Sequence, residues 1–159
     1  MRDSIKISGV PYRAGEDTNS LVVRIACSLG VSISENEISV SHRTGKIQGS
    51  TPRPIVAKFT RRATKHAILY NKTLAKNITT DDYGNPVKIY VDEQITPMRG
   101  KVCKRLREKH IKYNTRDGKI LINNDNSDTG KVILDFPEDW ERLDITINEK
   151  EELGIYPKF

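Results

Sequence analysis

"PIVAKF", residues 54–59, alternates: Ile55, Ala57 and Phe59 fall on one side and Val56 and Lys58 on the other. Strand side chains point to opposite faces with period two, so the stretch spells a half-buried β-strand whose core side carries Ile55, Ala57 and Phe59. Three more segments follow the rule. "SIKISGVP" (4–11) puts Ile5 and Ile7 in and Lys6 and Ser8 out, and Gly9-Val10-Pro11 ends it. "NEISVSHR" (36–43) predicts a strand with Ile38 and Val40 inward. "NPVKIYV" (85–91) predicts one with Val87, Ile89 and Val91 inward and Lys88 and Tyr90 outward.

Between these strands lie two stretches of helical period. "EDTNSLVVRIACSLG" (16–30) has Asp17 or Thr18 as cap and Gly30 as stop, with Leu21, Val22, Ile25, Ala26 and Leu29 on one face. "TRRATKHAILYNKTL" (60–74) has Ala67, Ile68 and Leu74 as its packing side. The order is β-α-β-β-α-β. It predicts an α+β chain of ferredoxin-like, RNA-recognition-motif type over residues 1–92, with both helices on one face of a four-stranded antiparallel sheet. The other sheet face stays open and carries Lys6, Ser8, Val56, Lys58, Lys88 and Tyr90. It is cationic, with Tyr90 as its single aromatic.

A second, small α/β domain is expected over residues 93–159. "TPMRGKVCKRLREKHIK" (96–112) opens it with Thr96 as cap and Pro97 at the first helical position. Met98, Val102, Cys103 and Leu106 form its apolar stripe. Arg99, Lys101, Lys104, Arg105, Arg107, Lys109 and Lys112 stand against one acid, Glu108. "IKYNTRDGKILI" (111–122) reads as a hairpin turning at Asp117-Gly118. "KVILDF" follows as a strand and "PEDWERL" as a short acidic helix.

Length and charge narrow the function. The 159 residues are 36% hydrophobic and 30% charged, enough apolar material for a core in a water-soluble chain. No apolar run reaches the length of a membrane span, and the N-terminus lacks the apolar centre of a signal peptide, so an intracellular protein without a membrane partner is expected. The sequons at Asn71 and Asn77 then have no use. Cys27 and Cys103 lack metal or redox spacing and read as reduced, structural thiols. The net charge of +6 is uneven: residues 1–133 carry 24 basic and 13 acidic side chains, residues 134–159 carry 3 and 8. A basic body points to a polyanionic partner.

Catalytic patterns are weak. Asp128-Thr129-Gly130 matches the aspartic-protease triplet, but polar Asn126 and Ser127 precede it and Lys131 follows, which suits a turn. The same stretch resembles a calcium loop whose twelfth position would be Phe136, where a carboxylate is required. His42, His66 and His110 lack metal spacing. No phosphate-cradling glycine loop and no nucleophile elbow is present. The expectation is a binding protein, not an enzyme, without cofactor or metal.

Basic side chains cluster where a nucleic acid would be met: Lys6, Lys58 and Lys88 on the sheet, Arg43 and Arg53 at strand ends, Arg61 and Arg62 with Lys65 at the start of the second helix, and Arg99, Lys101, Lys104, Arg105 and Arg107 on the third, with Arg116 in the hairpin. Cations in a helix's first turn oppose the macrodipole, so Arg61, Arg62 and Lys65 call for another use. Tyr90 and Tyr113 are candidate base stackers. The alternative for both the sheet face and the basic helix is a solvated or protein-packed surface.

The runs "ISGVP", "HRTGK", "TPRPIVAKFT", "KIYVDEQITPMRGKVCKRLREK" and "DGKILI", in that order across residues 4–123, resemble the first-open-reading-frame proteins of LINE-type retrotransposons and their insect and baculovirus relatives, the few-polyhedra protein among them. The resemblance implies an RNA-recognition-motif followed by a small C-terminal domain. These hold single-stranded RNA or DNA in a basic cleft between them, act as a nucleic-acid chaperone and coat RNA in a ribonucleoprotein, cytoplasmic with the nucleus as a second compartment. Matching basic positions are Arg43, Arg53, Lys58, Arg99 and Arg105. Retrotransposon members trimerise through an N-terminal coiled coil, which these residues lack; homo-oligomers are expected only if such a segment precedes them. The competing expectation is a protein-interaction module in viral or ribonucleoprotein assembly. A further expectation is that the acidic end covers the basic surface in cis.

Overall fold

The computed structural model describes residues 2–78, 88–123 and 131–134. The chain divides into two compact units, Met1–Gln94 and Ile95–Phe159. The first is built from β1 (Ser4–Ser8), α1 (Thr18–Ser28), β2 (Ile38–Arg43), β3 (Ile55–Phe59), α2 (Arg62–Tyr70) and β4 (Tyr90–Glu93). Its four strands form one antiparallel sheet in the order β2-β3-β1-β4. The unit is α+β.

Ile5 and Ile7 of β1 pair with Ala57 and Ile55 of β3, and Ile7 pairs with Val91 of β4. These residues, with Phe59 and Ile89, are buried in one cluster with Leu21, Val22, Ile25, Ala26 and Leu29 of the first helical stretch and Ile68 of α2. Each Val, Leu, Ile or Phe side chain taken from water contributes about 1.5–3 kcal/mol. Asp17 caps α1 by accepting from the Asn19 N–H at 3.0 Å. Gly9, at φ +93°, lets β1 turn away beneath the chain entering β4, where a Cβ would strike the Lys88 carbonyl oxygen.

Some of the expected alternation is corrected. In β2 the register slips between Ile38 and Val40: Ile38 pairs with Phe59, but Val40 pairs with Lys58 and Ser41 with Ala57. A bulge of one residue reverses every later side chain. Ile38 is therefore buried while Val40 is 48% exposed, and Ser41 and Arg43 turn to the helix side. The Ser41 hydroxyl meets Thr18 and Asn19 of α1 there. Val56 is outward by register yet buried, between its cross-strand neighbours Lys6 and His42; long polar side chains can lay their stems over such a residue. In α2, Ala67 is exposed, and Leu74 in the following 3-10 turn is 53% exposed; Thr64, Lys65 and Ile68 hold the buried positions instead. Cys27 is free but exposed, so only Cys103 is a core thiol.

The second unit contains α3 (Pro97–Glu108) and an antiparallel sheet, β5 (Tyr113–Arg116), β6 (Lys119–Asn123) and β7 (Lys131–Leu134), in that order. Thr96 caps α3 through the Arg99 N–H, and Pro97 sits in its first turn. Val102, Cys103 and Leu106 pack with Ile120 and Ile122. Asp117 and Gly118, at φ 51° and 79°, turn β5 into β6; two positive φ values make the hairpin turn whose twist matches the strands. Val87, the Asp128-Thr129-Gly130 triplet, the expected helix from Pro137 and the acidic end lie outside the described residues.

Candidate nucleic-acid interface

The open face of the first sheet is fixed by cross-strand register. One row runs His42, Val56, Lys6, Asp92; a second Val40, Lys58, Ser4; a third joins Ser8 to Tyr90. Lys6, Lys58 and Lys88 are exposed, and Tyr90 is 48% exposed. Asp92 is the acid of this face, and it pairs with Lys72 at 3.6 Å. The strands thus bring Lys6, Lys58 and Tyr90 together on one surface, with His42 beside them. The face can meet phosphates but offers little aromatic surface for bases.

Arg43 does not belong to that surface. Because of the bulge in β2 its side chain runs to the helix side and into the Val10–Glu16 loop. Nε and Nη2 donate to the two Glu16 carboxylate oxygens at 2.7 and 2.8 Å. Nη1 donates to the carbonyls of Val10 and Arg53, each at 2.7 Å, and Nη2 also to that of Pro11 at 3.0 Å. All five guanidinium N–H groups are engaged, so none remains for a phosphate. The pair is nearly buried, with side-chain exposures of 5% and 9%. Arg43 holds the Glu16 carboxyl below its ordinary value of 4.5, against the opposing effect of burial. Arg53 lends its carbonyl to this knot, and its side chain is half-buried.

At the start of α2, Arg61 is exposed and Arg62 donates to Asp3 at 3.3 Å. Lys65, grouped with them on sequence, is fully buried: Nζ pairs with Glu93 and also donates to the Arg2 carbonyl. Its place in the helix is thus explained by the core. Glu93 ends β4 on the helix side, next in alternation after Val91.

In the second unit α3 divides its cations. Arg99 is half-buried and donates to the Gly118 carbonyl, which ties the helix to the hairpin turn. Arg105 pairs with Glu108 at 3.2 Å. Lys101 and Lys104 are exposed and make no ion pair with another described residue. Arg107 is exposed and donates to the Tyr113 hydroxyl at 2.8 Å. Tyr113 itself packs half-buried against the α3–hairpin core, and burial pushes its phenol above the ordinary 10.0. Its ring is therefore a wall and not an open stacking surface. Arg107, Ile111, Lys112, Tyr113 and Asn114 line a groove of about 430 Å³. Arg116 is exposed on the hairpin, on the strand side opposite Tyr113.

Two groupings escaped the sequence. Lys112 and Asn114 join Arg107 only because the chain bends sharply at His110, φ 56°. Tyr12 lies over the Arg43 guanidinium, 6.0 Å from ring centre to Cζ; nothing local in the sequence links two residues so far apart. Among the described residues no helix is long and apolar enough to cross a membrane, and no group of three or more His, Cys, Asp or Glu is placed to hold a metal. No protein-family model matches the chain, and no curated protein matches it.

Proposed function

We propose that this protein binds single-stranded nucleic acid, RNA in the first place, through its phosphates and with little regard to sequence. The observation that carries the proposal is the solvent side of α3 and its exit. Lys101, Lys104, Arg107, Lys109 and Lys112 are all exposed there, with Glu108 as the exposed acid, already paired with Arg105. Like charges brought this close are costly for the free protein, and a phosphate chain relieves them while releasing its counterions. The cations of the open sheet face, Lys6, Lys58 and Lys88, supply a second set of phosphate contacts. Phosphate contacts fix register and orientation but carry no base identity, so binding is sequence-tolerant.

The strand order of the first unit, with two helices on one face, supports placing it in the ferredoxin-like arrangement of RNA-recognition motifs. With the sequence resemblance, this favours a chaperone or coat component of a retrotransposon or viral ribonucleoprotein, and a binding protein in place of an enzyme. A protein-docking module is the second reading, favoured by the exposed side chains of Tyr70 and Leu74 around α2. Titration of labelled single- and double-stranded oligonucleotides at two salt concentrations separates them. Phosphate-driven binding loses affinity steeply as salt rises; a docking module gives no oligonucleotide binding at either salt.

A further inference from the structure

We propose that Tyr12 is a base-stacking platform, held in place by the Arg43–Glu16 pair, so that the first unit grips a base as well as phosphates. The proposal rests on the nucleic-acid reading above and adds a stacking contact to the little aromatic surface, Tyr90, that the open sheet face offers.

Tyr12 is 61% exposed, which for an aromatic ring with no core to join needs a reason. One side of the ring lies over the Arg43 guanidinium. A guanidinium over an aromatic face is attractive, most so where the cation has lost its water. Arg43 is such a cation, nearly buried and fully hydrogen-bonded. The backbone on either side of Tyr12 is tied to the same pair. Val10 and Pro11 give their carbonyls to Arg43, while the Arg13 N–H donates to Glu16 at 3.3 Å and Glu16 N–H to the Arg13 carbonyl at 3.2 Å. The ring is thus presented by a loop braced at both ends, so little conformational entropy is lost when a base settles on it.

The surroundings suit a strand. Arg13 follows the ring directly in the sequence and is exposed, and Arg53 gives its backbone carbonyl to Arg43. Beyond Arg13 lies a hollow of about 290 Å³ whose wall includes Gly15, Glu16, Asp17 and Arg24. Both carboxylates of that wall are engaged, Glu16 with Arg43 and Asp17 with Ser20 and the α1 cap. An exposed aromatic ring beside a hollow lined by Arg13 and Arg24 can take a base while its phosphate lies toward those cations, and every base has a face to stack.

The test compares wild type with Tyr12→Ala and Tyr12→Phe, using a fluorescent single-stranded oligonucleotide and a matched oligonucleotide with abasic sites, at several salt concentrations. Stacking is uncharged. Tyr12→Ala is expected to weaken binding about five- to a hundredfold with an unchanged salt slope, and Tyr12→Phe to bind as wild type does. On the abasic strand all three are expected to bind alike. If wild type binds and Tyr12→Ala binds equally well, the platform is overturned while the phosphate reading stands. The same holds if the loss on Tyr12→Ala persists on the abasic strand. If Tyr12→Ala fails to fold, Tyr12→Phe and the abasic strand decide: loss on Phe, or no wild-type preference for the strand with bases, overturns the proposal. If wild type binds no oligonucleotide at low salt, both proposals fall.

Discussion

Arg43 and Glu16 meet through two hydrogen bonds of 2.7 and 2.8 Å, from Nε and Nη2 to the two carboxylate oxygens, with both side chains nearly buried. The pair joins the end of β2 to the loop before α1. A residue that looks like a phosphate contact in the sequence is thus a brace inside the unit. Removing one partner of such a pair leaves the other charge buried without its counter-charge. Arg43→Ala is expected to cost about 3–5 kcal/mol of stability, read from chemical unfolding. The part of the sample that stays folded keeps the wild-type salt slope for oligonucleotide binding. A stable Arg43→Ala protein with a reduced slope would return Arg43 to the phosphate surface.

The same pair sets an acid limb. The Glu16 carboxyl is held below its ordinary 4.5, first by the hydrogen bond from Arg43. A folded-state value below the unfolded one gives stability that is complete above the unfolded value and is lost as pH falls through the folded one. Glu37 is depressed as well, by the Ser34 N–H and the Thr64 hydroxyl, and adds to the same limb. Unfolding followed from pH 7 to pH 3 should therefore show stability declining below about pH 4.5. Glu16→Gln should be less stable at neutral pH and decline less on acidification. Identical acid limbs in the two proteins would contradict the pairing.

Lys65 and Glu93 form a second buried pair, with side-chain exposures of 0% and 1%. Lys65→Met removes the ammonium from the buried Glu93 carboxylate and is expected to cost about 3–5 kcal/mol, whereas Lys65→Met with Glu93→Leu recovers most of it. A single variant as stable as wild type would contradict the burial.

The bulge in β2 predicts opposite outcomes for two neighbouring aliphatic residues. Ile38→Ala opens a cavity in the first core and should cost about 2–5 kcal/mol. Val40→Thr on the open face should change stability by less than about 0.5 kcal/mol. Equal costs would mean that the register does not slip.

These two residues also show where sequence reading stops. Period-two alternation located β1 and β3 and the inward set of Ile5, Ile7, Ile55, Ala57 and Phe59, because each strand is regular and half-buried. It failed after Ile38, since one inserted residue leaves composition unchanged and reverses the faces. Helix α3 was legible because Thr96-Pro97 and the stripe of Val102, Cys103 and Leu106 are local signals. The roles of Arg43, Lys65 and Arg99 were not. Each cation is consumed by an acceptor distant in sequence: Glu16, Glu93 and the Gly118 carbonyl respectively. A basic side chain meant for a ligand and one meant for a buried carboxylate look the same until the fold brings the partner.

The central claim stands or falls on the salt dependence of single-strand binding by wild type and by Lys101→Ala/Lys104→Ala. Both lysines are exposed on α3, away from Val102 and Leu106, so the double variant should melt as wild type does. If they contact phosphates, affinity falls for unrelated sequences alike, and the slope of log affinity against log salt drops by about 1.4, near 0.7 for each lost contact. A folded double variant with wild-type affinity and wild-type slope would leave α3 a solvated basic face, and the nucleic-acid account would lose its main support.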